Sequence, residues 1–302
     1  MSVKIARYYT CEFEFASSAL LPRWKGNLLR GAIGCALKRL YCLFPSGNCK
    51  NCTLAFKCPF GYVYETPSHG IVLRKLKHVT KPYTVKPPLE EKTLYKKGDV
   101  LKFSFVVFGN AINYENHFIN SLLFLSQNGI GNKNKRGRIV LRRVFAVNPF
   151  RNKKEVLYED GEFFDSKIFI SIRDLERKIE RNFSFNFLTP VRLVKKGALL
   201  ENLTFENLYP FMLRKYSYIL TCYCGINVEP CFDFKVNTLL QKLEAKHFIY
   251  KGEKEVFLYG KIYFSGRLKK DVRKVVNFCT LSHVGNKATH GFGWYEISNT
   301  KL

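Results

Sequence analysis

This sequence has little acidic charge, no long apolar run and no export signal. Only 24 of its 302 residues are Asp or Glu, against 50 Lys or Arg, so its formal net charge is +26. A charge that large opposes compaction unless a polyanion neutralises it, which excludes a cationic partner. No stretch reaches the roughly 18 apolar residues of a membrane-spanning helix, and the first residues lack the apolar core of a signal peptide. We therefore expect no membrane partner and a cytoplasmic location.

The basic residues are distributed along the chain rather than collected in a tail, which is typical of a folded surface that faces phosphate. Neutralisation of phosphates by Lys and Arg gives sequence-independent affinity, so nucleic acid is the leading partner. The predicted contact surfaces are a glycine-lysine hairpin, a basic helix near the C-terminus and the segment at residue 192. Their basic residues are Lys133, Lys135, Arg136, Arg192, Arg267, Lys269, Lys270 and Arg273.

Hydrophobic periodicity predicts two similar halves. In the first half, the pattern predicts strands at residues 6–15, 100–108 and 138–147 and helices at 24–43 and 114–127. In the second half, it predicts an extended segment at 183–194, helices at 205–220 and 268–281, strands at 255–264 and 292–297, and a hairpin partner near 245–250. Both orders are those of a ferredoxin-like βαββαβ unit. We predict an α+β protein with two tandem ferredoxin-like (RRM-like) domains, residues 1–147 and 148–302.

Five of the ten cysteines lie between Cys35 and Cys58, and four of these are in an insertion at about residues 42–61 of the first domain. Four of them have the spacing Cys42-x6-Cys49-x2-Cys52-x5-Cys58. In a chain without an export signal, cysteines are expected to be reduced. Four thiolates can bind one tetrahedral zinc ion, which would be structural rather than catalytic. The alternative is a loop of packed free cysteines.

A glycine-rich loop at residues 283–293 precedes a strand-like Trp-Tyr-Glu-Ile segment. It contains Gly285, Lys287, Gly291 and Gly293. Glycine permits positive φ and close approach of the backbone to a ligand, so such a loop can aim several N–H groups at one anion. Lys287 adds a positive charge. The alternative is an ordinary glycine turn before the final strand.

Six segments, in the same order along nearly the whole chain, resemble the CRISPR-associated endoribonucleases that process repeat RNA. These enzymes belong to the RAMP superfamily, and the similarity is to the subgroup with a cysteine-rich N-terminal insertion. The segments are residues 29–37, 58–61, 81–83, 129–131, 187–193 and 283–293.

The resemblance implies a protein that binds the repeat of a precursor CRISPR transcript and cuts it once, in antiviral defence. The family reaction uses no metal and no other cofactor. The ribose 2′-OH attacks its own phosphate and leaves a 2′,3′-cyclic phosphate and a 5′-OH. Protein groups must take the 2′ proton, stabilise the phosphorane and protonate the leaving oxygen. The implied partners are repeat RNA and other CRISPR effector subunits.

Many family members carry a catalytic histidine in or near the first helix, but residues 20–40 contain none. The catalytic candidates are therefore His283 beside the glycine loop and Lys25 and Tyr41 near the first helix. His283 can instead be a residue that stabilises the loop. Arg30 on this helix is an RNA contact or an ion-pair residue, whereas Lys287 in the glycine loop is expected to contact phosphate.

Two other functions remain open at this point. The missing histidine favours a non-catalytic RNA-binding subunit of a CRISPR effector complex. The cysteine spacing and the charge are also compatible with a zinc-dependent nucleic-acid-binding regulator unrelated to CRISPR, which leaves the ordered family segments unexplained.

Overall fold

The computed structural model describes residues 3–66, 80–132, 135–250 and 253–300. The chain divides into two compact units, one built from Lys4–Ile170 and Cys222–Gly225 and the other mainly from Ser171–Thr221 and the residues after Ile226. The division near Ile170 is later than the boundary predicted after residue 147. The reason is that residues 153–163 extend the first sheet instead of forming a linker.

The first unit is a ferredoxin-like sheet with additional strands at one edge. Its helices and strands are β1 (Lys4–Phe15), β2 (Ala19–Leu20), α1 (Gly26–Tyr41), β3 (Tyr83–Lys86), β4 (Leu94–Tyr95), β5 (Val100–Phe108), α2 (Glu115–Asn128), β6 (Ile130–Asn132), β7 (Lys135–Gly137), β8 (Ile139–Asn148), β9 (Lys153–Glu159), β10 (Glu162–Phe163) and β11 (Ile170–Ser171). The main sheet has the order β10-β9-β8-β1-β5-β3, and β11 pairs with β1. The four central strands therefore have the order that a βαββαβ unit requires.

Apolar side chains that alternate along β1 and β5 form the core of this unit. Tyr9 of β1 stacks on Phe105 of β5 with 4.6 Å between ring centroids, and Phe105 contacts Phe118 of α2 at 5.5 Å. Every second residue of these strands therefore points to the apolar side of α2, and this alternation determines which face of the sheet the helix covers.

The second unit repeats the order with longer strands. Its helices and strands are β12 (Asn182–Val191), β13 (Val194–Lys195), β14 (Ala198–Leu199), α3 (Phe205–Cys224), β15 (Phe234–Tyr250), β16 (Glu253–Leu268), α4 (Lys270–Ser282) and β17 (Tyr295–Asn299). The sheet has the order β15-β16-β12-β17, and all of its pairs are antiparallel. Phe183 and Phe185 of β12 contact Phe264 of β16 and Phe205 of α3.

The predicted α+β class and tandem ferredoxin-like arrangement are confirmed. Two details differ from the prediction. The expected hairpin partner at 245–250 is only the distal part of the 17-residue strand β15, and the final strand begins at Tyr295 rather than at 292. The cysteine insertion contains a short 3-10 helix, Cys49–Asn51, and leads into a π-helix, Phe60–Glu65. No helix in the described part of the chain is long and apolar enough to cross a membrane.

Candidate nucleic-acid interface

The glycine loop connects α4 to β17, and its glycines serve the protein's own backbone. Gly285, Gly291 and Gly293 have φ of +83°, +90° and +74°. A Cβ at Gly285 would lie 2.5 Å from the carbonyl oxygen of Arg192, and one at Gly293 would overlap the carbonyl oxygen of Val284. A side chain at either position would force the loop away from these carbonyls, so the close approach expected for a ligand is made to protein instead.

Many amides of the loop also donate hydrogen bonds within the protein. The pairs are Val284 to Gly293, Gly293 to Pro190, Asn286 to Arg192, His290 to Lys287 and Gly291 to Ala288, with N···O distances of 2.8–3.0 Å. These bonds correct the prediction that the loop presents a set of N–H groups to an anion. The amides of Gly291 and Gly293 therefore donate within the protein, and Gly285 has a structural role through its φ of +83° and its close approach to Arg192.

His283 is buried at the start of the same loop. Its side chain is 0% exposed, Nδ1 lies 3.1 Å from the carbonyl oxygen of Phe292, and its ring lies parallel to that of Trp294. A general acid or base must come within hydrogen-bond distance of the group that it serves. The geometry therefore contradicts a direct catalytic contact for His283 and supports the alternative that it stabilises the loop.

Two predicted phosphate ligands stabilise the contact between this loop and β16. Lys287 forms an ion pair with Glu255, and both side chains are about four-fifths buried, at 17% and 20% exposure. Arg192 donates from Nη1 to the carbonyl oxygen of Val256 at 2.9 Å. Phe292 of the loop stacks on Phe257 at 4.4 Å. A phosphate contact from Lys287 would have to replace an existing ion pair.

Lys25, the second catalytic candidate, is also buried. It precedes α1 and is 1% exposed, and its Nζ donates to the carbonyl oxygens of Glu90 at 2.9 Å and Arg23 at 3.4 Å. Burial lowers the pKa of Lys25. These contacts hold the residues before α1 against the segment that follows β3, and they leave the ammonium group inaccessible to RNA. The structure thus contradicts the catalytic prediction for Lys25.

Tyr41, the third candidate, belongs to an accessible cluster at the C-terminal end of α1. Its hydroxyl accepts a hydrogen bond from Nδ2 of Asn120 at 3.1 Å, and its ring meets the imidazole of His117 edge-on at 4.5 Å. The ring of Tyr114 lies 5.5 Å from that imidazole. The three rings are half-buried. We call Tyr41, Tyr114, His117 and Asn120 the α1–α2 cluster.

His117 is the histidine of this cluster, and its side chain is partly exposed. Its Nδ1 is buried and has no hydrogen-bond partner among the described residues. Burial lowers the pKa of His117, so the imidazole is neutral near pH 7. The sequence pattern did not single out His117, because it lies on α2 and comes next to Tyr41 only when α1 and α2 pack together. The one available signal was the i, i+3 spacing of Tyr114 and His117 on a helix.

The prediction that Cys42, Cys49, Cys52 and Cys58 bind zinc stays a prediction. Burial, Glu65 and the thiols of Cys42 and Cys58 raise the pKa of Cys49. Cys52 follows the short 3-10 helix as its C-cap. Over the residues that the structure describes, no group of three or more His, Cys, Asp or Glu side chains is placed to hold a metal ion.

The predicted basic surfaces differ in how many of their cations already contact other groups of the protein. Lys135 and Arg136 are exposed on β7, whereas Lys133 lies outside the described residues. Arg30 is half-buried on α1, with its guanidinium 5.7 Å from the ring of Tyr64. At α4, most cations have partners: Lys269 pairs with Asp233, Lys270 with Glu176, and Arg273 donates to the carbonyl oxygen of Leu268, whereas Arg267 is exposed on β16.

Two family profiles match consecutive parts of the chain. The profile of the AF_1859_N N-terminal domain matches residues 3–169. The profile of the CRISPR-associated endoribonuclease Cas6 matches residues 185–295, which hold most of the second sheet and the glycine loop. A search of curated proteins found no significant match.

Solved Cas6 structures share the fold along nearly the whole chain. A Cas6 product complex is 14% identical with a TM-score of 0.59, covering 98% of this chain and 100% of that one. Cas6 from Thermus thermophilus is 12% identical with a TM-score of 0.56, covering 99% and 100%. A partial Cas6-RT-Cas1–Cas2 complex contains a chain that is 11% identical with a TM-score of 0.58, covering 99% of this chain and 47% of that one.

At these identities the solved structures show the fold alone, and the family profiles carry the assignment. The AF_1859_N match spans more than half of the chain, and the Cas6 match begins in β12 and ends at the start of β17. The chain therefore belongs to the AF_1859_N family through its N-terminal domain and carries the domain of the Cas6 CRISPR-associated endoribonucleases in its second half.

Proposed function

We propose that this protein is an endoribonuclease that binds CRISPR repeat RNA and cuts it once in each repeat. The observation that carries the proposal is the Cas6 domain at residues 185–295. The net charge of +26 is consistent with it, because an RNA backbone is a polyanion that this charge would attract. A cytoplasmic location, where the transcript is made, is part of the proposal.

The proposed reaction is an internal transesterification. The 2′-oxygen forms a bond to the adjacent phosphorus while the bond from phosphorus to the 5′-oxygen breaks. A base takes the 2′ proton and an acid donates a proton to the leaving 5′-oxygen, so the products are a 2′,3′-cyclic phosphate and a 5′-hydroxyl. The nucleophile belongs to the RNA itself, and the proposal gives no role to a metal ion.

We assign the proton transfers to the α1–α2 cluster. The lowered pKa of His117 keeps its imidazole neutral near pH 7, as a base for the 2′ proton must be. The Tyr41 hydroxyl, whose ring contacts His117, is the proposed acid for the leaving oxygen. Lys38 lies one turn before Tyr41 in the last turn of α1, where its charge can stabilise the phosphorane.

The test uses end-labelled repeat RNA in EDTA, beside RNAs with a single 2′-deoxy sugar at each candidate position. We expect one cut that a single deoxy substitution abolishes. His117→Ala should lower the single-turnover rate by about 10²- to 10⁴-fold without weakening RNA binding. His247→Ala, which removes an exposed histidine of β15, is the matched control. An unchanged rate in His117→Ala would remove His117 from the mechanism.

The absence of a histidine in α1 favours one other function, a non-catalytic RNA-binding subunit of a CRISPR effector complex. A chain with the same fold occurs in a Cas6-RT-Cas1–Cas2 complex, which makes association with other CRISPR proteins a reasonable extension. Tight binding of repeat RNA without any cut, in EDTA or in magnesium, would support this second function and contradict the first.

A further inference from the structure

The second sheet has one face that its helices leave uncovered, and strand register identifies its residues. Phe264 of β16 faces α3, because it contacts Phe205. Successive residues of a strand point to opposite faces, so Tyr259, Lys261 and Tyr263 lie on the other face. Residues paired across an antiparallel ladder share a face, so Lys242, the partner of Lys261, joins them.

Aromatic rings and ammonium groups alternate on this face. The Nζ of Lys261 lies 4.9 Å from the ring centroid of Tyr263, and that of Lys242 lies 6.0 Å from the same ring. The Nζ of Lys246, from β15, lies 4.2 Å from the ring of Tyr259. Tyr259, Lys246, Lys261 and Tyr263 are half-buried and Lys242 is exposed. We call these five residues the tyrosine–lysine face.

The cations of the tyrosine–lysine face differ from those of α4. Across the described ranges, none of its three lysines forms an ion pair, whereas Lys269 and Lys270 beside it on the chain pair with Asp233 and Glu176. Exposed Arg267 and Lys235 are cross-strand partners at the end of the same face. The carboxylates on the face include Glu244, opposite Tyr259, Glu296 on β17, and Glu255, which is already paired with Lys287. Cations therefore outnumber carboxylates, and their charge is available to an anion.

We propose that the tyrosine–lysine face binds unpaired nucleotides of the RNA, with bases stacked on Tyr259 and Tyr263 and phosphates beside the lysines. Flat aromatic rings on an open sheet recognise splayed bases, whereas duplex RNA keeps its base faces stacked inside the helix. Tyr259 and Tyr263 are four residue steps apart along the strand, a separation of roughly 13 Å, and Lys261 lies midway, where the backbone between two stacked bases would pass. The proposal rests on the proposed function only in taking RNA as the ligand.

Binding of generic RNA tests the face independently of cleavage. The probes are a fluorescein-labelled 12-nucleotide oligouridylate and a blunt 12-base-pair RNA duplex, measured by anisotropy. Tyr263→Ala should weaken oligouridylate binding roughly 5- to 150-fold, the equivalent of one lost base stack, with a much smaller effect on the duplex. Tyr263→Phe should retain the native affinity, because stacking needs the ring and not the hydroxyl. Phe163→Ala, which removes an exposed ring from β10, is the control.

Two further measurements locate the contact. Lys261→Ala and Lys242→Ala should each reduce the slope of log affinity against log salt by about 0.7, the value for one phosphate contact on a single strand. Oligouridylate with 5-iodouridine should photocrosslink, in the native protein, to the peptide that contains Tyr259 and Tyr263. Crosslinks confined to other peptides, or an unchanged affinity in correctly folded Tyr263→Ala, would overturn the proposal. If the protein still cleaves repeat RNA at the native rate when these results overturn the proposal for the face, the proposed function stands.

Discussion

The glycine loop at residues 283–293 and the α1–α2 cluster differ in what their polar groups do. In the loop, Lys287 pairs with Glu255, the imidazole of His283 is buried beside the carbonyl oxygen of Phe292, and the amides named above donate to carbonyls. In the α1–α2 cluster, the rings of Tyr41 and His117 are half-exposed, and Nδ1 of His117 has no hydrogen-bond partner among the described residues.

The difference shows why residue types alone do not identify a site. Glycine, lysine and histidine together are typical of an anion-binding loop, but the same residues can also pack a loop against a neighbouring strand. A catalytic group needs access to the substrate. The side chains of Tyr41 and His117 are partly exposed, whereas the imidazole of His283 is buried.

The sharpest test pairs one histidine from each region. His117→Ala should lower the cleavage rate by about 10²- to 10⁴-fold while the melting temperature stays near the native value. His283→Ala should do the reverse, because it removes buried packing against Trp294 and leaves the cleavage rate of the folded molecules unchanged. Single-turnover cleavage and thermal unfolding are measured on both variants. Loss of rate in folded His283→Ala would reverse the comparison.

The next largest effect concerns the backbone of the loop. Gly293→Ala should lower the free energy of unfolding by more than about 2 kcal/mol, because positive φ costs an alanine roughly 1–2 kcal/mol and its Cβ would also overlap the Val284 carbonyl. Gly197→Ala is the matched control: its φ is +87°, but a Cβ there meets nothing within 4 Å. Urea denaturation gives both values. Equal losses would mean that the close approach to Val284 contributes nothing.

The pH dependence of cleavage tests whether His117 is the base. A neutral imidazole is the active form, and burial holds the pKa of His117 below the ordinary value near 6.5. The rate should therefore be level from pH 7 to 8 and fall about tenfold per pH unit only below the lowered pKa. Single-turnover rates between pH 5 and 8 give the profile. An acid limb that persists unchanged in the residual activity of His117→Ala would assign the base to another group.

The smallest expected effect is that of the loop lysine. Lys287→Met should cost about 1 kcal/mol in stability, because it leaves the mostly buried Glu255 carboxylate without its cation. Because Lys287 pairs with Glu255, the substitution should leave the salt dependence of RNA binding unchanged, unlike Lys261→Ala. A salt titration of both variants makes the comparison. A reduced slope in Lys287→Met would restore the loop as a phosphate contact.

Local pattern predicted most of the fold but only part of the candidate site. Alternation at residues 6–15 and helical spacing at 24–43 correspond to β1 and α1, because each element buries one side against the core. The length of β15 was missed, since much of it is half-exposed and lacks a clear apolar alternation. Of the catalytic candidates, Tyr41 is accessible while Lys25 and His283 are buried. His117 was missed because its neighbour in space is distant in sequence.

Composition and local periodicity account for the strong positive charge, the βαββαβ order of both halves and the family resemblance. Which cations are neutralised, which histidine is accessible and which face of the second sheet carries tyrosine and lysine together depend on how the folded chain packs. Burial, ion pairing and the placing of α2 beside α1 arise from residues that meet only after folding. For that reason no local pattern specified them.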